Sequence, residues 1–243
     1  MTWRGTLVLV ALILSTPSLA EEEAESPWAG KATLGYLATS GNTNSSNLNS
    51  AFSISYSKGQ WVHGFDSSAI FASTEDVTTG AEVTTAEAYE AGWKSQRNLS
   101  EHNYMFGELN WRKDRFSGYD QQFAQVIGYG RRLLDKEKHK LNAELGAGAR
   151  QSDLADGTQE DETVARAALD YNWKISETSA FQQTIAVESG SENTFTESVT
   201  KLSASLIGNL ALVASYTIKN NSEVPIGTEN TDKFTALSLE YTF

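Results

Sequence analysis

The sequence predicts an all-β protein, an antiparallel up-and-down transmembrane barrel of about twelve strands. Three observations predict it. The chain opens on a secretion signal, keeps a period of two in its apolar residues from Trp28 onward, and closes that pattern on Tyr241-Thr242-Phe243. No later stretch is apolar enough for a membrane helix. An exported chain of this kind can cross a bilayer only with strands, because lipid leaves helices and closed barrels as the spanning structures.

At the N-terminus Arg4 gives a thin positive region and Leu7 to Leu14 an apolar one. Pro17-Ser18-Leu19-Ala20 follows with small residues at the two sites a signal peptidase reads. Residues 1–20 are therefore expected to be a signal peptide cleaved after Ala20. Glu21-Glu22-Glu23 and Pro27 fall in a short periplasmic leader over 21–27, and residues 28–243 form a single barrel domain.

Alternation then identifies the strands one by one. Leu48, Phe52, Ile54 and Tyr56 oppose Asn47, Asn49, Ser53 and Ser55. Leu141, Ala143 and Leu145 oppose Asn142 and Glu144, and Leu169, Tyr171 and Trp173 oppose Arg166, Asp170 and Lys174. Leu237, Leu239, Tyr241 and Phe243 oppose Ser238, Glu240 and Thr242. Each run has one apolar and one polar face. The predicted strands are 28–39, 46–57, 61–73, 84–95, 103–115, 119–131, 139–151, 162–175, 180–190, 194–207, 210–220 and 231–243. The sixth and tenth carry apolar residues on both faces. Tight turns at Lys58-Gly59-Gln60, Ser176 to Ser179 and Gly208-Asn209 alternate with longer acidic connections at Thr74 to Val83, Ser152 to Asp161 and Asn220 to Thr231. Short periplasmic turns and longer external loops are the pattern of bacterial barrels. The connections Ser40 to Ser45 and Ser189 to Asn193 are short for the external side.

Composition agrees. A mean hydropathy of -0.39 suits a barrel that turns every second residue toward a polar interior. Cysteine is absent, which removes disulfide and thiolate chemistry. A net charge of -12 argues against nucleic acid as a partner, since phosphate binding needs a basic surface. Aromatics collect toward the strand ends. Tyr56, Trp61, Trp93, Tyr104, Trp173, Phe181, Tyr241 and Phe243 lie toward the periplasmic end. Tyr36, Phe71, Trp111, Phe116, Phe195 and Phe234 lie toward the other. Two girdles at headgroup depth are expected from this distribution.

The sequence also resembles a bacterial family of outer-membrane proteins, the salt-induced outer membrane protein family. The segments that carry the resemblance are Gly35-Tyr36 with Thr39-Ser40-Gly41-Asn42-Thr43, and Asp114-Arg115-Phe116-Ser117-Gly118-Tyr119-Asp120. They continue with Gly128-Tyr129-Gly130 before Arg132-Leu133-Leu134, Leu145-Gly146 before Arg150-Gln151, Val187-Glu188-Ser189-Gly190-Ser191 before Asn193-Thr194, and the closing Leu239 to Phe243. The resemblance covers essentially the whole mature chain. It implies an outer-membrane barrel and a link to salt stress, and it brings no catalytic residues.

Strand parity points Lys31, Asp66, Glu90, Glu108, Arg112, Glu144, Arg166, Asp170, Glu188, Lys201 and Glu240 into the barrel. Such charges suit either a lumen that conducts small ions or solutes or an interior plugged by mutual pairing. Twelve strands lie between filled eight-stranded barrels and open porins. A hairpin turn centred near Glu177 would set Arg166 opposite Glu188. The acidic connections, with Glu75, Asp76 and Glu82, with Asp153, Asp156, Glu160, Asp161 and Glu162, and with Glu223, Glu229 and Asp232, offer hard oxygen ligands for divalent cations or a bridge to lipopolysaccharide. A solvated loop is the simpler reading of each. The basic turn around Arg131, Arg132, Lys136, Lys138, His139 and Lys140 is expected to be solvated too.

Enzyme chemistry finds little support. His63, His102 and His139 are the only histidines, and no G-x-S-x-G elbow, H-E-x-x-H helix or phosphate loop occurs. Carboxylates near the loops leave a protease as the remaining hydrolase alternative. The expectation is a monomeric barrel of a Gram-negative outer membrane, with no cofactor. Its expected partners are lipid, lipopolysaccharide and, through Phe243, the barrel-assembly machinery.

Overall fold

The computed structural model describes residues 26–39, 44–76, 78–115 and 117–243. The signal segment, most of the leader, most of the Thr39–Thr43 segment and Phe116 lie outside the described residues. Twelve antiparallel strands follow in chain order: β1 (Trp28–Thr39), β2 (Ser45–Lys58), β3 (Trp61–Glu75), β4 (Glu82–Asn98), β5 (Asn103–Asp114), β6 (Tyr119–Asp135), β7 (His139–Leu154), β8 (Gln159–Lys174), β9 (Ser179–Ser189), β10 (Thr194–Ile207), β11 (Leu210–Asn221) and β12 (Thr231–Thr242). Each pairs with its sequence neighbours, and β1 pairs with β12, so the sheet closes on itself. Gly30 and Phe243 seal the seam by exchanging backbone N–H···O bonds of 2.8 and 2.9 Å. Closure satisfies the backbone without an edge, as lipid requires.

The two ends differ. At the turn end Gly59 and Gly208 hold φ at +61° and +53°. Each is the first of the two residues joining its strands, where a tight hairpin needs positive φ. At the loop end β11 and β12 are joined by nine residues, 222–230. This connection folds inward: Tyr119 Oη donates to the Glu223 carbonyl at 3.1 Å.

Alternation explains the two faces. Leu34, Ile127, Leu145, Leu202, Leu237 and Leu239 stand outward and exposed, a band suited to lipid. Apolar residues on both faces of β6 have a specific cause. Its inner row, Ala124 and Val126, is buried, and Val126 packs with Tyr104, Phe106 and Val164 in a small core inside the barrel. Bulges between Tyr119 and Gln121 and between Arg132 and Leu134 bound the regular part of the strand.

This core corrects part of the girdle expectation. Tyr104 is 3% exposed and lies in the lumen, across its register partner Gly130, where a Cβ would collide with the ring. Phe106 covers Gly128 in the same way. Two glycines on β6 thus make room for two rings on β5. Phe195 is also buried inside, with the Arg112 guanidinium 3.8 Å from its ring centre, and Phe234 lies near the Lys219 ammonium. Trp28 with Tyr56, Trp61 with His63 and Trp93, and Tyr241 with Phe243 remain grouped at the turn end.

Candidate functional site: a charged lumen

Strands β4, β5, β7 and β8 direct four charges to the middle of the lumen. Lys94 Nζ donates to Glu144 at 2.6 Å and stands 3.3 Å from Glu108. Arg166 reaches Glu108 and Glu144, each at 3.1 Å. Tyr104 Oη donates to Glu144 at 2.9 Å. Two cations and two carboxylates therefore form a closed square. Its members alternate in sign, so each buried charge has two opposite neighbours. Pairing of this kind offsets the desolvation that would penalise any one of them alone.

A second layer lies toward the loop end. Arg112 donates to Glu188 at 2.7 Å and to Gln122 at 2.8 Å. Arg150 has no exposed surface; it pairs with Glu162 and with the Asn193 carbonyl, and lies 3.7 Å from Glu188. Glu162 also accepts from the backbone N–H of Glu192 at 2.9 Å. Glu162 is therefore a buried strand residue holding the β9–β10 connection, not a loop carboxylate as its sequence context predicts.

The remaining brace crosses the lumen. Lys219 on β11 pairs with Glu90 on β4, five strands away around the ring. A round barrel of twelve strands, about 4.8 Å apart and tilted near 40°, is about 24 Å across between opposite backbones. The two side chains together cannot span the chord that separates them in such a ring. Their contact means that the barrel is flattened between β4 and β11.

Every lumenal candidate can now be located. Glu90, Glu108, Arg112, Glu144, Arg166 and Glu188 belong to the braces. Asp170 accepts from Gln182 at 3.2 Å and Thr184 at 3.1 Å. Lys31 pairs with Glu240 at 2.9 Å. Asp66 and Lys201 line separate cavities. Arg166 and Glu188 are register partners, as the hairpin turn implies. Their head groups nevertheless bond elsewhere, Arg166 to the square and Glu188 to Arg112. Lys94, Arg150, Glu197 and Lys219 complete the lining with Glu162, and none of the five was among the charges that strand parity pointed inward. Parity could have found four of them, Glu162 preceding Arg166 by four residues on β8. Lys94 follows Glu90 by four residues on one strand, Glu197 precedes Lys201 by four, and Arg150 follows Glu144 by six.

Three cavities follow the braces. One of about 300 Å³ lies against Tyr104, Glu144, Arg166 and Asp170. The next, of about 310 Å³, lies among Asp66, Glu90, Glu108, Arg112 and Glu197. The third is only about 20 Å³, between Glu90, Arg112, Tyr119 and Lys219. Neighbouring cavities share lining residues, so they adjoin along the lumen with the braces as walls between them, and the smallest lies toward the loops. Twenty cubic ångströms is about the room one water needs.

In the loops, Asp76 accepts from the backbone N–H of Thr79 at 2.9 Å and Thr78 at 2.8 Å, and these bonds hold its carboxyl below the usual carboxylate range. Asp156 is lowered in the same way by Thr158. Among the described residues no three carboxylates or imidazoles converge as a metal cage.

Comparison with known proteins follows this geometry. Residues 32–243 match a family described as a protein of unknown function, DUF481. The Escherichia coli (strain K12) protein described as uncharacterized protein YdiY is 31% identical over 219 residues, covering 90% of this chain and 84% of the relative. YdiY is a member of the salt-induced outer membrane protein family. The chain belongs to that family. Among solved structures, an outer-membrane channel from Pseudomonas putida F1 superposes with a TM-score of 0.52 at 10% identity, covering 94% of this chain and 99% of the channel. The NanC porin superposes at 0.51 and 10% identity, covering 88% and 97%. At these identities the likeness is one of fold. This member of the family has the barrel fold of outer-membrane porins and channels.

Proposed function

We propose that the protein is a non-enzymatic, narrow pore of the bacterial outer membrane, passing small ions and solutes. The observation that carries this reading is the series of lumenal cavities, roomy in mid-lumen and shrinking to about the room of one water beside the Glu90–Lys219 and Arg112–Glu188 braces. A constriction made of side chains passes ions when its pairs exchange with water, and charged rings of this kind set selectivity. The outward apolar band supports residence in lipid as a monomer, with the loops toward lipopolysaccharide. The family name supplies the physiological setting, salt or osmotic load. Phe243, sealed into the seam, is the residue the assembly machinery would read.

The same braces support a second reading, a plugged structural barrel, because they cross the lumen. Planar-bilayer recording of the refolded barrel separates the two. Small steps of reproducible size are expected. Silence from a folded, heat-modifiable barrel contradicts the pore and favours the plug.

A further inference from the structure

The turn end of the lumen opens into a vestibule of about 240 Å³. Lys31, Lys138, Lys140, Lys174 and Lys201 line it, brought from β1, the β6–β7 turn, β7, β8 and β10. Against these five cations stand only Glu137 and Glu240. The carboxylates do not neutralise the wall. Glu240 is engaged by Lys31 at 2.9 Å, and the other ion pairs here, Lys174 with Glu177 and Lys140 with Asp135, draw on carboxylates outside the vestibule. Lys138 and Lys201 have no ion pair among the described residues. Lys201 differs in this from the cations of the braced layers, Lys94, Arg112, Arg150, Arg166 and Lys219, each of which has a carboxylate partner.

We infer that this vestibule is a binding site for a small polyvalent organic anion carrying hydroxyl groups. The chemistry follows from the wall. Clustered ammonium groups around a concavity raise a positive potential there and concentrate anions. Asn172 and Gln182, also in the wall, donate their amide N–H groups to Asp170. Their carbonyl oxygens are left as acceptors, which suits a ligand hydroxyl. A carboxylate or phosphate bridging Lys201 and Lys138 would supply the partner these two cations lack. The site deepens the pore reading, because it places an anion-capturing antechamber beneath the constriction, but its occupancy can be measured without any current.

The test is calorimetric titration of the folded barrel, in zwitterionic detergent at low ionic strength, with sodium citrate and separately with inorganic phosphate. Saturable binding of at least one is expected, weakening as salt is added. The stronger of the two assigns carboxylate or phosphate as the preferred group. Lys201→Gln should weaken binding about tenfold, the worth of one hydrogen bond to a charged group. Lys58→Gln, at the same end but outside the vestibule, should leave it unchanged. Absence of saturable binding by both anions, or binding that Lys201→Gln does not weaken, overturns the site. A barrel that conducts but binds neither anion rejects the site and keeps the pore; one that binds citrate and stays silent in bilayers does the reverse.

Discussion

The loop-side and turn-side halves of the lumen are built from the same alternating strands yet solve the burial of charge differently. In the loop-side half, Arg112 and Lys219 are cross-braced to carboxylates on distant strands, and Arg150, paired with its neighbour Glu162, loses all contact with solvent. In the turn-side half lysines outnumber carboxylates, and Lys31 keeps 52% of its side chain exposed. The difference teaches that a lumenal charge is not a function in itself. Where charges interlock they shape and narrow the barrel; where they stand unneutralised in an open vestibule they are available to a ligand.

The largest expected effect breaks the braced half. Arg150→Ala leaves the buried Glu162 without its cation and Glu188 with Arg112 alone, and removing one member of such a group costs about 3–5 kcal/mol. Urea unfolding of the refolded barrel should show that loss, whereas Lys31→Ala at the open end should cost under about 1 kcal/mol. Equal losses would dissolve the distinction.

Next is Gly190→Ala. A Cβ at Gly190 would overlap the Glu162 carboxylate, which Arg150 and the Glu192 amide pin in place. The expected cost is about 1–3 kcal/mol, typical of an overpacked site. The same unfolding experiment reads it, and no loss would mean Glu162 is free to swing away.

A subtler consequence concerns current. An acidic loop mouth above a basic vestibule makes the lumen bipolar. With the loop side positive, cations enter through the acidic end and anions through the basic end, and both accumulate inside. Conductance should therefore be higher at that polarity, and Lys31→Gln with Lys201→Gln should make the current–voltage curve symmetric. A symmetric wild-type curve would contradict the polarity.

The smallest effect is in the loops. The folded-state pKa values of Asp76 and Asp156 lie below their unfolded values, so the turns they cap are stabilised above about pH 4 and lose that support as pH falls further. Amide exchange at Thr78, Thr79 and Thr158 should speed up below that pH. Unchanged rates would show the caps do not hold the turns.

The fold was legible because alternation is a local property, and strands without a membrane helix can span lipid only by closing. Strands other than β6 and β10, which carry apolar residues on both faces, show the period of two, and the observed bounds differ from the expected ones by at most four residues, at the end of β6. The site was legible only in part. Parity places Arg166 and Glu188 side by side on the inner face, but it cannot tell that Arg166 bonds to Glu108 across three strands, since that choice depends on the flattened section. Tyr104 and Phe106 share the parity of Glu108, so alternation itself places them inside; the girdle reading of Tyr104 set that parity aside, and the space left by Gly128 and Gly130 is what admits both rings.

The measurement that most directly tests the contrast between the two halves is single-channel conductance of Glu90→Ala/Lys219→Ala beside Lys31→Ala/Lys201→Ala, each against the wild type at high salt, where vestibule charge is screened. Removing the loop-side brace should raise the conductance severalfold, and removing the turn-side lysines should leave it nearly unchanged. If the brace variant conducts like the wild type, or the vestibule variant matches its increase, the narrowest point does not lie at Glu90 and Lys219 and the account fails.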